Sequence, residues 1–321
     1  MDKALILGIN GQDGSYLAEV LLDKGYEVHG LIRKTATGNT RNIEHLLERI
    51  QLHYGDLVDP ISLHHVIAKV RPREIYNEAD QDHAGLSFQI PAYSYDVTGA
   101  AVGRLLEIIR AIDPAIRYFQ PVTSNMFGKA ESFPQDEGTQ FNPLNPYACA
   151  KVFAYHLCHM YRAVYGMHVS VGIFYNHESP RRTDAYVTRK ITRAVAHIKA
   201  GKQDKLVLGD MSAMIDWGYA REYMEAAWSI LQLDKPDTFI IGTGEVHSVA
   251  EFVQEAFAYA GLDPARYVES SQSLFRPAQN STLQANTAKA RQAFGFAPKV
   301  RYRELIGIMM DHDLKDAGAA R

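Results

Sequence analysis

A doubly wound α/β fold built on a mostly parallel sheet is what this 321-residue chain predicts. Three observations predict it. Short apolar runs alternate with helical patterns through the first half, a glycine-punctuated turn follows the first of those runs, and the two cysteines show no stapling or zinc-binding spacing.

The elements follow in order. Residues 4–7 form an apolar run that ends at glycine, and residues 15–22 then carry apolar side chains at helical spacing, so strand, tight turn and helix succeed one another. Gly25 closes the helix. Residues 26–32 alternate into a second strand, which completes a βαβ unit of about 30 residues. Residues 50–56 read as a third strand, 63–70 as a helix, 74–77 as a fourth strand, and a long helix runs through Leu105 and Ile109 before the strand 117–122. Such alternation needs a parallel sheet with helices on both faces, a Rossmann domain.

After residue 175 the pattern loosens. Residues 176–188 are polar, 191–198 look helical, 205–209 look like a strand, 245–276 mix helix with loop, and 302–314 read as a final amphipathic helix. The predicted organisation is a dinucleotide-binding domain over residues 1–175. A smaller substrate-binding domain over 176–321 is expected to send some segments back to the sheet.

Composition narrows the partners. With 46% hydrophobic and 22% charged residues and a net charge of −3, the chain offers no basic face for nucleic acid and no polybasic segment for a membrane surface. A small molecule is the expected ligand. No apolar stretch approaches the roughly 20 residues that span a bilayer, and no secretory pattern opens the chain, so the cytoplasm is the expected compartment. The 13 histidines are scattered without a ligand spacing, and no metal is expected.

Gly8, Gly11 and Gly14, spaced GxxGxxG at the first strand-to-helix turn, suit a dinucleotide cradle. Close approach of phosphate to backbone requires residues without side chains, and the helix N-terminus at Gln12 and Asp13 presents N–H groups to the pyrophosphate. A tight turn without ligand is the competing reading. At the end of the second strand Arg33 and Lys34, with Arg41 nearby, replace the acid that would bind the ribose hydroxyls, which favours NADP over NAD. Asp56 and Leu57 stand where adenine could rest, although Asp56 equally suits a turn.

Tyr147 and Lys151 lie four residues apart, on one face of a helix. An ammonium beside a phenol favours the phenolate and would lower its pKa, fitting the tyrosine for proton exchange with a sugar hydroxyl during hydride transfer. A surface helix pair is the bland alternative.

Taken with the blocks at 123–128, 176–182, 187–190, 216–218 and 275–278, these residues resemble the extended short-chain dehydrogenase/reductase family. Within it the chain is similar to the GDP-mannose 4,6-dehydratases, in order and over nearly the whole length. The resemblance implies hydride removal from sugar C4 by NADP, loss of water across C5 and C6, and hydride return to C6. By position it implies Thr123 and Tyr147 at the C4 hydroxyl, Lys151 on the nicotinamide ribose, and Asn176, Lys190 and Arg276 on a nucleotide diphosphate, here GDP-linked. It also implies a homodimer or homotetramer.

Departures from the family pattern sit at the chemistry. Asn125 stands where a glutamate removes the C5 proton. Residues 77–82 read Asn-Glu-Ala-Asp-Gln-Asp where the family has Asn-Leu-Ala-Ala-Gln-Ser, and His83 follows, so that Asp82 or His83 could supply a relocated base or be part of a solvated loop. Ile215 and Gln279 replace an arginine and a glutamate. Three readings therefore stand: a dehydratase, a 4-epimerase or 4-keto reductase without elimination, and a homologue that binds cofactor or sugar nucleotide without turnover.

Overall fold

The computed structural model describes residues 1–36, 38–274 and 282–319. Seven parallel strands form the central sheet: β1 (Lys3–Leu7), β2 (Glu27–Ile32), β3 (Gln51–Tyr54), β4 (Glu74–Asn77), β5 (Arg117–Thr123), β6 (Val169–Phe174) and β11 (Thr238–Ile241). Their order is β11-β6-β5-β4-β1-β2-β3, so the chain runs outward from β1 to one edge and then returns to fill the other. This reversal beside β1 leaves a crevice at the strands' carboxyl ends, where open α/β sheets bind ligands.

Apart from the edge strand β3, which is largely open to solvent, the strands are buried on both faces. In β1 the side chains of Leu5 and Leu7 join the cluster formed with helices α2 (Pro60–Val70), α5 (Ala101–Ile112) and α6 (Pro146–Tyr165). Ala4 and Ile6 point the other way, into a second cluster shared with α1 (Gln12–Asp23) and α8 (Ala220–Gln232). Burial of each such leucine or isoleucine contributes about 1.5–3 kcal/mol, and this explains why β1 is uniformly apolar rather than alternating. Between β4 and α5 lie two short helices, α3 (Ala84–Ser87) and α4 (Pro91–Ser94), and a π turn at Tyr95–Ala100.

The second half builds a smaller cluster of its own. Helices α7 (Val187–Lys199), α9 (Val249–Tyr259) and α11 (Tyr302–Ala317) pack around Trp217, Phe252 and Leu305. Short strands frame them: β7 (Asn176–Glu178) pairs with β10 (Trp217–Tyr219), β8 (Leu206–Leu208) with β13 (Val268–Ser270), and β9 (Met214–Ile215) with β12 (His247–Ser248). The remaining helix, α10 (Ala288–Phe294), lies against β11. Strand β11 and helix α8 come from beyond residue 175 yet belong to the sheet layer, so the two halves of the chain are interleaved.

Candidate active site

The glycine turn joins β1 to α1. Gly8 has a φ of +77°, and a Cβ placed on it would lie 2.8 Å from the carbonyl oxygen of Glu78, so only glycine fits there. A Cβ on Gly14 would overlap the Gly8 carbonyl. Gly11 serves as the N-cap of α1 with no side chain capping the first turn among the described residues. The backbone N–H groups of that turn thus face the crevice, the arrangement that cradles a pyrophosphate.

Asp13 in this first turn is charge-matched. Its carboxylate meets the ring Nε2 of His177 at 2.9 Å, and Gln12 donates to Asp13 and to the His177 carbonyl while accepting from Ser179. Burial opposes both charges, but the mutual attraction outweighs it: Asp13 is held below, and His177 above, its ordinary value. The cofactor turn and the 176–182 block are therefore one hydrogen-bonded unit.

Arg33 and Lys34 are exposed at the end of β2, and Arg33 donates to the Tyr93 hydroxyl at 2.8 Å. Asp56 closes a turn, accepting from the Val58 N–H at 3.1 Å, and the Leu57 side chain is buried in the core at 5% exposure. Their side chains thus serve the turn and the core.

Tyr147 and Lys151 stand at the start of α6. Asn145 caps the helix by accepting from the Ala148 N–H at 2.8 Å, Pro146 occupies its first turn, and Tyr147 and Lys151 follow, both buried. Tyr147 shares a hydrogen bond with Thr123, the last residue of β5, and the Asn125 amide donates to the same Thr123 oxygen at 3.0 Å. Thr123, Asn125, Tyr147 and Lys151 thus converge at one strand end.

One expectation fails in detail. The phenol of Tyr147 is held well above its ordinary value, first by burial and then by the charges of Asp80, Asp82 and Tyr186. The Lys151 ammonium, 5.7 Å from the ring centroid, is already engaged. It forms a buried ion pair with Asp80 and donates to the Pro121 carbonyl at 2.9 Å.

The acid-rich segment after β4 lies against this group. Thr98 in the π turn donates to Asp80 at 2.9 Å, and Gln81 accepts from Ser94 at 3.0 Å, so the segment is fixed rather than drifting. Asp82, exposed over half its side chain, sits 3.5 Å from Arg182, whose guanidinium stacks on Tyr186. The His83 Nδ1 accepts from the Leu86 N–H, which places the proton of the neutral ring on Nε2 and leaves it no free lone pair. His83 is thereby unsuited to act as a base. Glu78 is half-buried, with one buried carboxyl oxygen lacking a partner, and desolvation pushes it well above the carboxylate range, toward the neutral form.

Asn176 lies in β7, paired in register with Trp217. Lys190 is in the first turn of α7, where its ammonium donates to the Val207 carbonyl at 2.7 Å. Arg276 and Gln279 fall outside the described residues. Sequence reasoning passed over Asp80, His177 and Arg182 as individual site members. The polar block at 176–182 was the signal for the last two, whereas only the fold brings Asp80 to Lys151.

Comparison with known proteins completes the description. The family described as GDP-mannose 4,6 dehydratase matches residues 5–309. GDP-mannose 4,6 dehydratase 2 of Arabidopsis thaliana is 46% identical over 97% of this chain and 87% of its own. The Homo sapiens GDP-mannose 4,6 dehydratase is 41% identical over 97% and 91%. Among solved structures, dTDP-glucose 4,6-dehydratase from Bacillus anthracis in complex with NAD has a TM-score of 0.87 at 20% identity, covering 99% of this chain and 98% of that one. The RMD protein of Pseudomonas aeruginosa complexed with NADPH has a TM-score of 0.83 at 19% identity, covering 98% and 100%. At these identities the structures speak for the fold alone.

Proposed function

Because this chain belongs to the GDP-mannose 4,6-dehydratase family, we propose that it is an NADP-dependent nucleotide-sugar enzyme that oxidises a GDP-linked hexose at C4 and dehydrates it across C5 and C6. The observation that carries this reading is the convergence of Thr123, Tyr147 and Lys151 at the end of β5, beside the glycine turn. A nicotinamide cofactor would accept and return the hydride there. The glycines and the N-terminus of α1 would hold its pyrophosphate, and Arg33 with Lys34 would neutralise a 2′-phosphate.

Within this reading each residue of the chain has a defined task. Tyr147 takes the proton of the C4 hydroxyl as hydride leaves, and Thr123, bonded to Tyr147, orients that hydroxyl. Asn176 and Lys190, with Arg276, hold the diphosphate. Asn125 orients Thr123 through its amide but has no basicity for the C5 proton. Elimination then lacks the factor of about 10²–10⁴ that a positioned base supplies.

Asn125 also favours a second reading, a 4-epimerase or 4-keto reductase that uses C4 oxidation alone. Two incubations, GDP-mannose with NADP⁺ and a GDP-4-keto-hexose with NADPH, both read by product mass spectrometry, separate the two. Loss of the mass of one water without net cofactor change supports dehydration. An isobaric sugar with inverted C4, or reduction that consumes NADPH, supports the second reading, and no turnover across GDP-, UDP-, CDP- and dTDP-hexoses overturns both.

A further inference from the structure

We propose that Asp80 is a positioning residue for the cofactor: by holding the Lys151 ammonium it controls how much of that lysine is available to the nicotinamide ribose and to Tyr147. The proposal rests on the dinucleotide reading above and goes beyond it, because it assigns a role to a residue that departs from the family pattern.

The geometry is specific. Lys151 is 4% exposed and Asp80 12%, so their ion pair is sheltered from solvent. An ammonium carries three hydrogens, and two of them are committed, to Asp80 and to the Pro121 carbonyl. One remains. That single hydrogen cannot serve both a ribose hydroxyl and the tyrosine, whereas a lysine without an acidic partner has two to share. The carboxylate is itself braced, since its other oxygen accepts from Thr98 at 2.9 Å. Asp80 therefore cannot swing aside without breaking a bond to the π turn.

Charge acts in the same direction. A carboxylate beside the lysine cancels the positive potential that would otherwise attract an anionic dinucleotide. Asp82 is turned toward Arg182, burial pushes Glu78 well above the carboxylate range, and of the three acids only Asp80 forms an ion pair with Lys151 among the described residues. The inference is that this chain binds its cofactor more weakly than its glycine turn and Arg33 alone would allow.

A double-variant cycle on the full-length protein tests this, with NADP⁺ affinity measured by titration calorimetry and folding checked by thermal unfolding. Asp80→Ala and the isosteric Asp80→Asn should each tighten NADP⁺ binding about tenfold when Lys151 is present. In the Lys151→Met background the same substitutions should tighten binding clearly less, by about threefold at most, because only the direct repulsion between Asp80 and the dinucleotide remains. Equal tightening in both backgrounds, or none in either, overturns the proposal while leaving the cofactor reading intact. Absence of binding by every variant, with NADP⁺ and NAD⁺ alike, overturns the cofactor reading and this inference with it. Binding that appears only after Asp80 is replaced supports it.

Discussion

Replacing Asn125 by glutamate should restore the step for which the chain lacks a base. Asn125 sits on the 3-10 turn Ser124–Met126 that follows β5, with its amide on the Thr123 hydroxyl, one bond away from Tyr147. A carboxylate there would share the neighbourhood of C4 with Tyr147 and reach toward C5. General-base assistance contributes about 10²–10⁴-fold, or about 3–5 kcal/mol. Against this stands the lost amide donation to Thr123, about 1 kcal/mol, part of which returns when the threonine hydroxyl donates to the new carboxylate. Asp80 and Asp82 bring negative charge to the same pocket, which holds an added carboxyl up and strengthens it as a base. The net expectation for Asn125→Glu is a rise of at least about tenfold in the rate of dehydrated product. The assay is the initial rate of water loss from GDP-mannose at saturating NADP, followed by mass spectrometry. A folded Asn125→Glu protein with an unchanged or lower rate would refute the reasoning and move the elimination base elsewhere.

Three further outcomes follow from the same geometry. Tyr147→Phe should lower C4 oxidation by at least about a hundredfold while NADP⁺ affinity stays unchanged, since the phenol serves proton transfer rather than binding; single-turnover formation of NADPH measures it. Tyr147 is held up by burial and by Asp80, Asp82 and Tyr186, with the Thr123 hydrogen bond working the other way and Lys151 already paired. It must lose its proton to act as a base, so oxidation should climb with pH through the neutral range, approaching about tenfold per unit, and a flat profile would contradict this. The Asp13–His177 pair should show in stability. The raised His177 contributes in full below 6.5 and loses its share as pH rises through its folded value, while the lowered Asp13 contributes above 3.8 and loses its share as pH falls. His177→Asn should therefore destabilise the protein by about 1–2 kcal/mol between those limits and by less at alkaline pH, as read by urea unfolding.

Much of the frame was legible because local signals agreed with the global fold. The fourth strand, Glu74–Asn77, needed only its apolar core, and α1 announced itself by the glycine turn before it. Elements without punctuation were passed over. Helix α8 starts directly from β10 with Tyr219 as an N-cap that makes no side-chain bond, so no start signal precedes it. Strand β11 is four residues long and finds its place only by pairing with β6. The site divides in the same way. The spacing of Tyr147 and Lys151 is helical and therefore visible, whereas the partner of Lys151 arrives from the end of β4, and parallel-sheet register is invisible in sequence.

The departures at 78–82 and at 125 form one electrostatic pattern. The chain carries carboxyls at Glu78, Asp80 and Asp82 and an amide at Asn125. Asp80 is paired with Lys151, Asp82 lies beside Arg182, which also meets the buried Glu178, and burial pushes Glu78 well above the carboxylate range. The amide at 125 meets the same Thr123 oxygen without adding charge, so it suits a pocket in which Lys151 is no longer a free counter-ion. The pairing of Asp80 with Lys151 and the amide at 125 thus belong to one charge balance around the end of β5, in which Lys151 meets a carboxylate and Thr123 meets a neutral amide.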